Sequence, residues 1–219
     1  MKRKKSKIVK FLEIEEIEKF QEPLFNRAKL AMQIEKKTTA DKIAIRDFAL
    51  VNLVYACALR ISEACNLTLE YLDLERNRMY VIDGKGGDRI VPIPLPVVET
   101  LKKWLEIRPI WKNNDYVFTN IKGTTRPGKV RPLNQKYYNK LFNDLTEETK
   151  VFLKGGKKPT PHALRHSRAM AIYDGGVDLE VLQKMLGHKD ISTTQIYAQV
   201  RDERVNEVQQ SNLNGILSL

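Results

Sequence analysis

The segment HALRH, residues 162–166, places an arginine between two histidines. In a helix, residues three and four apart share a face, so His162, Arg165 and His166 can act together. An H-x-x-x-H pair can hold zinc, but here Ala163 stands where a zinc protease needs its glutamate. Arg165 would also set a permanent cation beside the metal. A guanidinium beside a histidine suits an anion better, because the guanidinium forks two hydrogen bonds to phosphate oxygens and the imidazole adds a third donor. Taken alone, the motif favours the plainer reading of a capped helix with a surface arginine and a core histidine. Arg60 follows a stretch that is apolar all round and reads as the end of a buried helix, with Glu63 one turn on as its partner. Lys85 sits at the tip of the glycine-rich stretch DGKGGD, where backbone can approach a ligand closely. His188 follows Gly187, a helix stop, and Tyr197 lies early in the next helix. Two arginines, two histidines and a lysine converging on one phosphate beside a tyrosine hydroxyl, without a carboxylate cluster for a metal, describe metal-free phosphoryl transfer through a covalent nucleophile.

The elements that must position these residues are legible in outline. Leu12–Thr38 reads as helix with Ile17, Phe20, Leu24, Ala28 and Ala31 on one stripe, split in two by Pro23. Residues 43–59 read as a central buried helix. Residues 78–94 read as a hairpin around DGKGGD. Val98, Leu101 and Leu105 mark a helix closed by Arg108-Pro109, DYVFT (115–119) a short strand, 122–131 a basic loop, Asn134–Leu145 a helix, and 154–159 a second basic loop. Three helices follow. Thr160 and Pro161 start the first and Gly175-Gly176 stop it; Asp178 starts the second and Gly187 ends it. Ser192 and Gln195 have capping-box spacing for the third, which carries Tyr197. The fold class expected is α+β, mainly α, with a small antiparallel sheet.

The chain has 219 residues, enough for one sizeable core, and 38 Lys+Arg against 27 Asp+Glu give a net charge of +11. Basic residues gather in 2–10, 122–140 and 150–158. A field of that sign favours a polyanion, nucleic acid first and an acidic membrane surface second. No run of 18 apolar residues is present, so no membrane-spanning helix is expected. The basic N-terminus lacks the apolar core of a secretion signal. Cys57 and Cys65, embedded in apolar sequence, fit small buried residues in a reducing, cytoplasmic setting.

The segments ALRISEACNLTLEYLDL (58–74), GKGGDRIVPIP (84–94) and TPHALRHSRAMAIYDGGVDLEVLQKMLGHKDISTTQIYAQV (160–200) resemble, in order, the signature segments of the tyrosine recombinases: phage integrases, Xer-type chromosome recombinases and fimbrial-switch invertases. The resemblance implies a catalytic domain over 12–205, preceded by a basic tail (1–11) and followed by a tail (206–219) that could dock on a neighbouring protomer. It implies that Arg60, Lys85, His162, Arg165 and His188 activate a DNA phosphate and that Tyr197 attacks it, with no metal and no cofactor. Tyr197 then presents its hydroxyl to DNA and has no packing duty. The implied partners are double-stranded DNA, a homotetramer on paired sites and, in some systems, an accessory DNA-bending protein. Two departures stand out. Ala58 occupies a position where similar sequences often have glycine. The catalytic pattern also starts almost at once, without the helical core-binding domain of larger members. A short form, like the fimbrial-switch invertases, and an excised catalytic domain both fit; the initial Met and basic tail suit the former. A type IB-like topoisomerase shares the same site chemistry, and a DNA-binding regulator with a vestigial site is the reading from another class.

Overall fold

The computed structural model describes residues 10–82, 87–110, 115–121 and 132–217, with side chains as far as Val205. Within them the chain is mainly helical. Helix α1 (Ile14–Gln33) and α2 (Thr39–Ala56) pair closely, and α2 also packs on α4 (Leu95–Ile107) and α6 (Pro161–Asp174). Between α2 and α4 lie the short α3 (Ile61–Asn66), a single 3-10 turn (Leu69–Tyr71) and the strands β1 (Leu72–Asp73), β2 (Arg78–Val81) and β3 (Arg89–Pro92). The strands form one antiparallel sheet in the order β1-β2-β3, with Met79 opposite Val91 and Val81 opposite Arg89. Helices α5 (Gln135–Thr149), α7 (Leu179–Leu186) and α8 (Ser192–Leu217) complete the set. The expected α+β class, mainly α with a small antiparallel sheet, is the class observed.

The stripe read on α1 is buried as expected: Ile17, Phe20, Leu24, Ala28 and Ala31 all face the core. The predicted split does not occur, and α1 runs unbroken through Pro23. Proline removes one intrahelical donor, but burial on both sides of it, by Phe20 and Leu24, holds the helix straight through. The Pro23 carbonyl still accepts from Arg27 Nε at 3.1 Å.

Helix α2 begins earlier than its apolar run. The Thr38 hydroxyl accepts from the Asp41 amide (3.3 Å), and the Asp41 carboxylate accepts from the Thr38 amide (2.7 Å), a reciprocal cap. The strand expected over 115–119 is absent. That segment makes only isolated bridges, Thr68 to Tyr116 and Thr119 to Pro132, while Val117 and Phe118 are buried. The Val117 amide donates to the Leu67 carbonyl and the Asp115 carbonyl accepts from the Leu69 amide, both at 2.8 Å, and the apolar residues serve the core without a ladder.

Helices α5, α6 and α7 start where the capping residues predict. Asn134, Thr160 and Asp178 each accept a backbone N–H with the side chain. Helix α8 begins at Ser192 as expected, but Ser192 is its first helical residue and not its cap, and the Asp190 carboxylate accepts its amide at 2.9 Å. The α8 backbone continues to Leu217, through the Asn214-Gly215 pair. Cys57 and Cys65 are free and buried, and burial pushes both thiols up to about 12.

Two apolar clusters result. The larger runs through α1, α2, α4 and α5 and includes Trp104, whose Nε1 donates to the Val117 carbonyl at 2.8 Å. The smaller lies under α8 and comprises Ala58, Ala169, Met170, Leu182, Leu186, Tyr197 and Val200. The predicted functional residues that fall within the described structure lie along the edge of this second cluster.

Candidate active site

Arg60 does not end a long apolar helix. Helix α2 stops at Ala56, and the chain turns through Ala58 in a left-handed conformation (φ 48°) before Arg60 caps α3. The turn aims Arg60 and Glu63 at each other. The Glu63 carboxylate accepts from the Arg60 amide (2.8 Å) and from Arg60 Nη1 (2.8 Å). Arg89, from β3, completes the arrangement with two parallel bonds of 3.0 and 2.9 Å to the same carboxylate. Arg165 Nη1 lies 3.6 Å from Glu63 Oε2. One buried carboxylate thus anchors three guanidiniums from α3, β3 and α6. Burial works against ionisation of Glu63, but Arg89, the Arg60 amide and Arg165 outweigh it, so its pKa is lowered. Three cations on one anion leave excess positive charge, which suits a phosphate.

The α7 terminus closes the same site. Gly187 ends α7 at φ 65°, and a Cβ there would meet Arg89 Nη1 at 2.9 Å. Both the backbone conformation and the space therefore require glycine. The Gly187 carbonyl accepts from Arg60 Nη2 (3.3 Å) and the Leu186 carbonyl from Arg165 Nη2 (2.5 Å). Arg165 is almost fully buried, and its Nη1 has no hydrogen-bond partner among the described residues. Desolvation lowers its pKa to about 10, partly offset by Glu63, so it stays cationic at neutral pH. An unsatisfied guanidinium donor is costly, and a phosphate oxygen is the kind of acceptor that would satisfy it.

His188 lies 3.4 Å from Arg165 Nη2 through Nε2, and its Nδ1 is 3.0 Å from the Thr194 hydroxyl. Arginine only donates, so the contact assigns Nε2 as acceptor and Nδ1 as donor to Thr194. Burial, with Arg165 and Arg60 adding to it, lowers the His188 pKa to about 4.

Tyr197 differs most from expectation. Its ring is fully buried in the smaller cluster, and its hydroxyl is 2.7 Å from His166 Nδ1. The tyrosine therefore packs; it is not held out toward solvent. An amphipathic ring on a short helix face is the largest apolar group available to fix α8 in place. Burial raises its pKa, with Arg165 opposing. His162 is exposed, and its Nε2 is 2.9 Å from His166 Nε2. The two histidines considered as a zinc pair instead hydrogen-bond to each other.

Of the predicted residues, the structure joins Arg60 and Arg165 through Glu63 and Arg165 to His188, and joins Tyr197 to His162 through His166; Lys85 lies outside the described residues. Sequence reasoning missed two members. Arg89 carried no signal beyond following the hairpin turn, and its role depends on β3 register. His166 was visible next to Arg165, but its position between His162 and Tyr197 depends on where α8 docks.

Comparison with known proteins identifies the family. Residues 25–204 match the sequence profile described as the phage integrase family. The chain is 37% identical over 166 residues to tyrosine recombinase XerA of Thermococcus onnurineus, covering 75% of this chain and 55% of the relative. It is 33% identical over 205 residues to XerA of Pyrococcus horikoshii, covering 88% and 65%. It is 34% identical over 183 residues to XerD of Listeria monocytogenes, covering 80% and 57%. The chain thus spans between about half and two thirds of the length of these relatives. Among solved structures, XerA recombinase superposes with a TM-score of 0.68 at 27% identity over 92% of this chain and 64% of that one. A XerH site-specific recombinase bound to a palindromic difH substrate in a post-cleavage complex gives 0.71 at 27% over 93% and 53%. With its sequence profile and its fold in agreement, the chain belongs to the phage integrase family of tyrosine recombinases, with Xer-type recombinases among its relatives.

Proposed function

We propose that this chain is the strand-cleaving part of a site-specific DNA recombinase. The observation that carries the reading is the convergence of two adjoining groups, Arg60 and Arg165 on Glu63 with His188 on Arg165, and Tyr197 joined through His166 to His162, with an Arg165 donor that has no hydrogen bond among the described residues. On this reading Tyr197 Oη attacks a phosphorus of double-stranded DNA. Arg60 and Arg165 hold the non-bridging oxygens and stabilise charge that grows in the transition state. His162 and His188 add hydrogen bonds. Lys85, which lies between β2 and β3 in the sequence, protonates the departing 5′ oxygen. The product is a 3′-phosphotyrosine that keeps the bond energy, so a 5′ hydroxyl of another strand rejoins it without ATP. The phosphate enters from the side where His162 is exposed and Arg60 partly so. Residues 1–11 act as a basic arm on DNA, residues 206–219 dock on a neighbouring protomer, and the working species is a homotetramer on paired sites in the cytoplasm, with an accessory DNA-bending protein where the site requires one.

The test is covalent capture. The chain is incubated with a pool of nicked duplexes of random sequence, and DNA that survives denaturing wash is sequenced. Wild type should yield adducts joined at Tyr197, and Tyr197→Phe should bind DNA yet yield none. Adducts that persist at wild-type level in Tyr197→Phe would remove the nucleophile. Strand exchange between two captured sites separates a recombinase from a type IB-like topoisomerase, which would only relax supercoils. Lys85→Ala should be slow on normal DNA and recover with sulfur at the 5′ bridging position, a leaving group that needs little protonation.

A further inference from the structure

Three rings run in sequence from the buried phenol to the surface. Tyr197 is fully buried, His166 half-buried and His162 exposed. Tyr197 Oη is 2.7 Å from His166 Nδ1, and His166 Nε2 is 2.9 Å from His162 Nε2. The imidazoles meet edge to face, centroids 4.2 Å apart, as residues four apart on one helix can. Both nitrogens of His166 are thus committed to groups that exchange protons. A ring held only for packing has no need of that arrangement.

We propose that His166 is a further catalytic residue, relaying the phenolic proton of Tyr197 to His162. The inference rests on the function proposed above. At cleavage the Tyr197 Oη–phosphorus bond forms and the phosphorus–O5′ bond breaks, its electron pair staying on O5′. The phenolic proton passes to His166 Nδ1 as the Nε2 proton of His166 passes to Nε2 of His162. His162 becomes an imidazolium at the surface and gives its proton to water. O5′ takes its own proton from the general acid. Rejoining reverses each transfer. His166 alternates between its two neutral tautomers and never carries net charge.

Neutrality is what makes the site workable. His166 is surrounded by His162 on its own helix, Arg165 beside it, His188 from the α7–α8 turn and Tyr197 from α8. Burial first, then His162, Arg165 and His188, lower its pKa to about 3. An isolated base that weak would remove little from a buried phenol. A relay that loses one proton as it gains another avoids the charged state that this surrounding forbids. Arg165 remains free to bind phosphate while the proton leaves by a path that does not cross it.

The test uses the full chain and nicked duplexes recovered by covalent capture on wild type. His166→Asn keeps an amide atom near the Nδ1 position but has no second site to pass the proton. Its single-turnover adduct formation at pH 7 should fall on the order of a hundredfold or more, with DNA affinity unchanged. The deficit should shrink as pH rises, and a fluorinated tyrosine of lower phenol pKa at position 197 should restore at least about tenfold. His162→Gln, a substitution at an exposed residue that keeps the fold accessible, should show the same rescue. A rate within twofold of wild type, or a deficit indifferent to both pH and fluorination, overturns the relay and leaves a packing contact. Faster cleavage by His166→Asn overturns it too and makes the contact a resting latch. Failure of wild type to form any adduct overturns the enzymatic reading, and the relay with it.

Discussion

The two apolar clusters of this chain do different work. The larger one is built from long helices that bury whole stripes: Ile17, Phe20 and Leu24 of α1 against Leu50, Leu53 and Val54 of α2, with Trp104 and Phe142 filling between. The smaller is a shallow seat made mainly of small or single-stripe residues, with Tyr197 and Val200 as the contribution of α8. Beyond them, α8 is tied by exposed ion pairs from Arg204 to Asp174 and Glu13, and such pairs contribute little. One cluster fixes the fold; the other holds the helix that carries Tyr197, the proposed nucleophile. The difference places the proposed catalytic residues on the less strongly built part of the molecule, where local opening costs less than global unfolding.

Breaking the larger cluster should have the largest effect. Trp104→Ala removes a fully buried ring and its hydrogen bond to Val117. It should cost about 3–5 kcal/mol, read as a fall in the urea midpoint with α8 and the core unfolding together.

The junction between the clusters comes next. Glu63→Gln leaves Arg165 and Arg89 without their shared carboxylate, where the Glu63 side chain is 4% exposed. A loss of about 3 kcal/mol is expected, with a drop in protection of the α7–α8 turn in hydrogen exchange. Unchanged stability would mean that water and the Met185 and Leu186 carbonyls satisfy the guanidiniums alone.

Acid should separate the clusters. The folded pKa values of His166 and His188 are lowered to about 3 and about 4, below the ordinary value of about 6.5. As pH falls the unfolded chain binds protons first. The stabilisation is fully present above about pH 6.5 and is lost progressively as pH falls toward 3–4, a change of roughly 2 kcal/mol after allowance for partial exposure. Both groups border the smaller cluster, so α8 amides should lose protection between pH 6 and 4 while α2 stays protected. Loss of both at one pH would erase the distinction.

The smallest effect is expected at Ala58. Its left-handed backbone (φ 48°) is unfavourable for an L-residue by roughly 1 kcal/mol, yet its methyl is buried against the smaller cluster, which is worth about 0.8 kcal/mol. Ala58→Gly should therefore change the melting temperature of the whole chain little. A destabilisation above about 1.5 kcal/mol would show that the methyl supports Tyr197 more than burial alone suggests.

Much of this protein was determined by its sequence. Helix starts at Thr160 and Asp178, the stop at Gly187, the α1 stripe and the hairpin strands follow from side-chain chemistry acting over a few residues, and local rules reach that far. The residue types of the site were legible for the same reason, since His162, Arg165, His188 and Tyr197 lie on elements whose ends are marked by caps and glycines. Tertiary structure decided the rest. Pro23 stays helical because the core on both sides outweighs one lost donor; residues 115–119 form no strand because their partners are loops. Arg89 enters the site only through strand register, and His166 meets Tyr197 only because α8 folds back across α6. The burial of Tyr197 was hidden for the same physical reason. Whether an aromatic ring faces water or a neighbour depends on contacts between segments distant in the chain, and no local pattern records them.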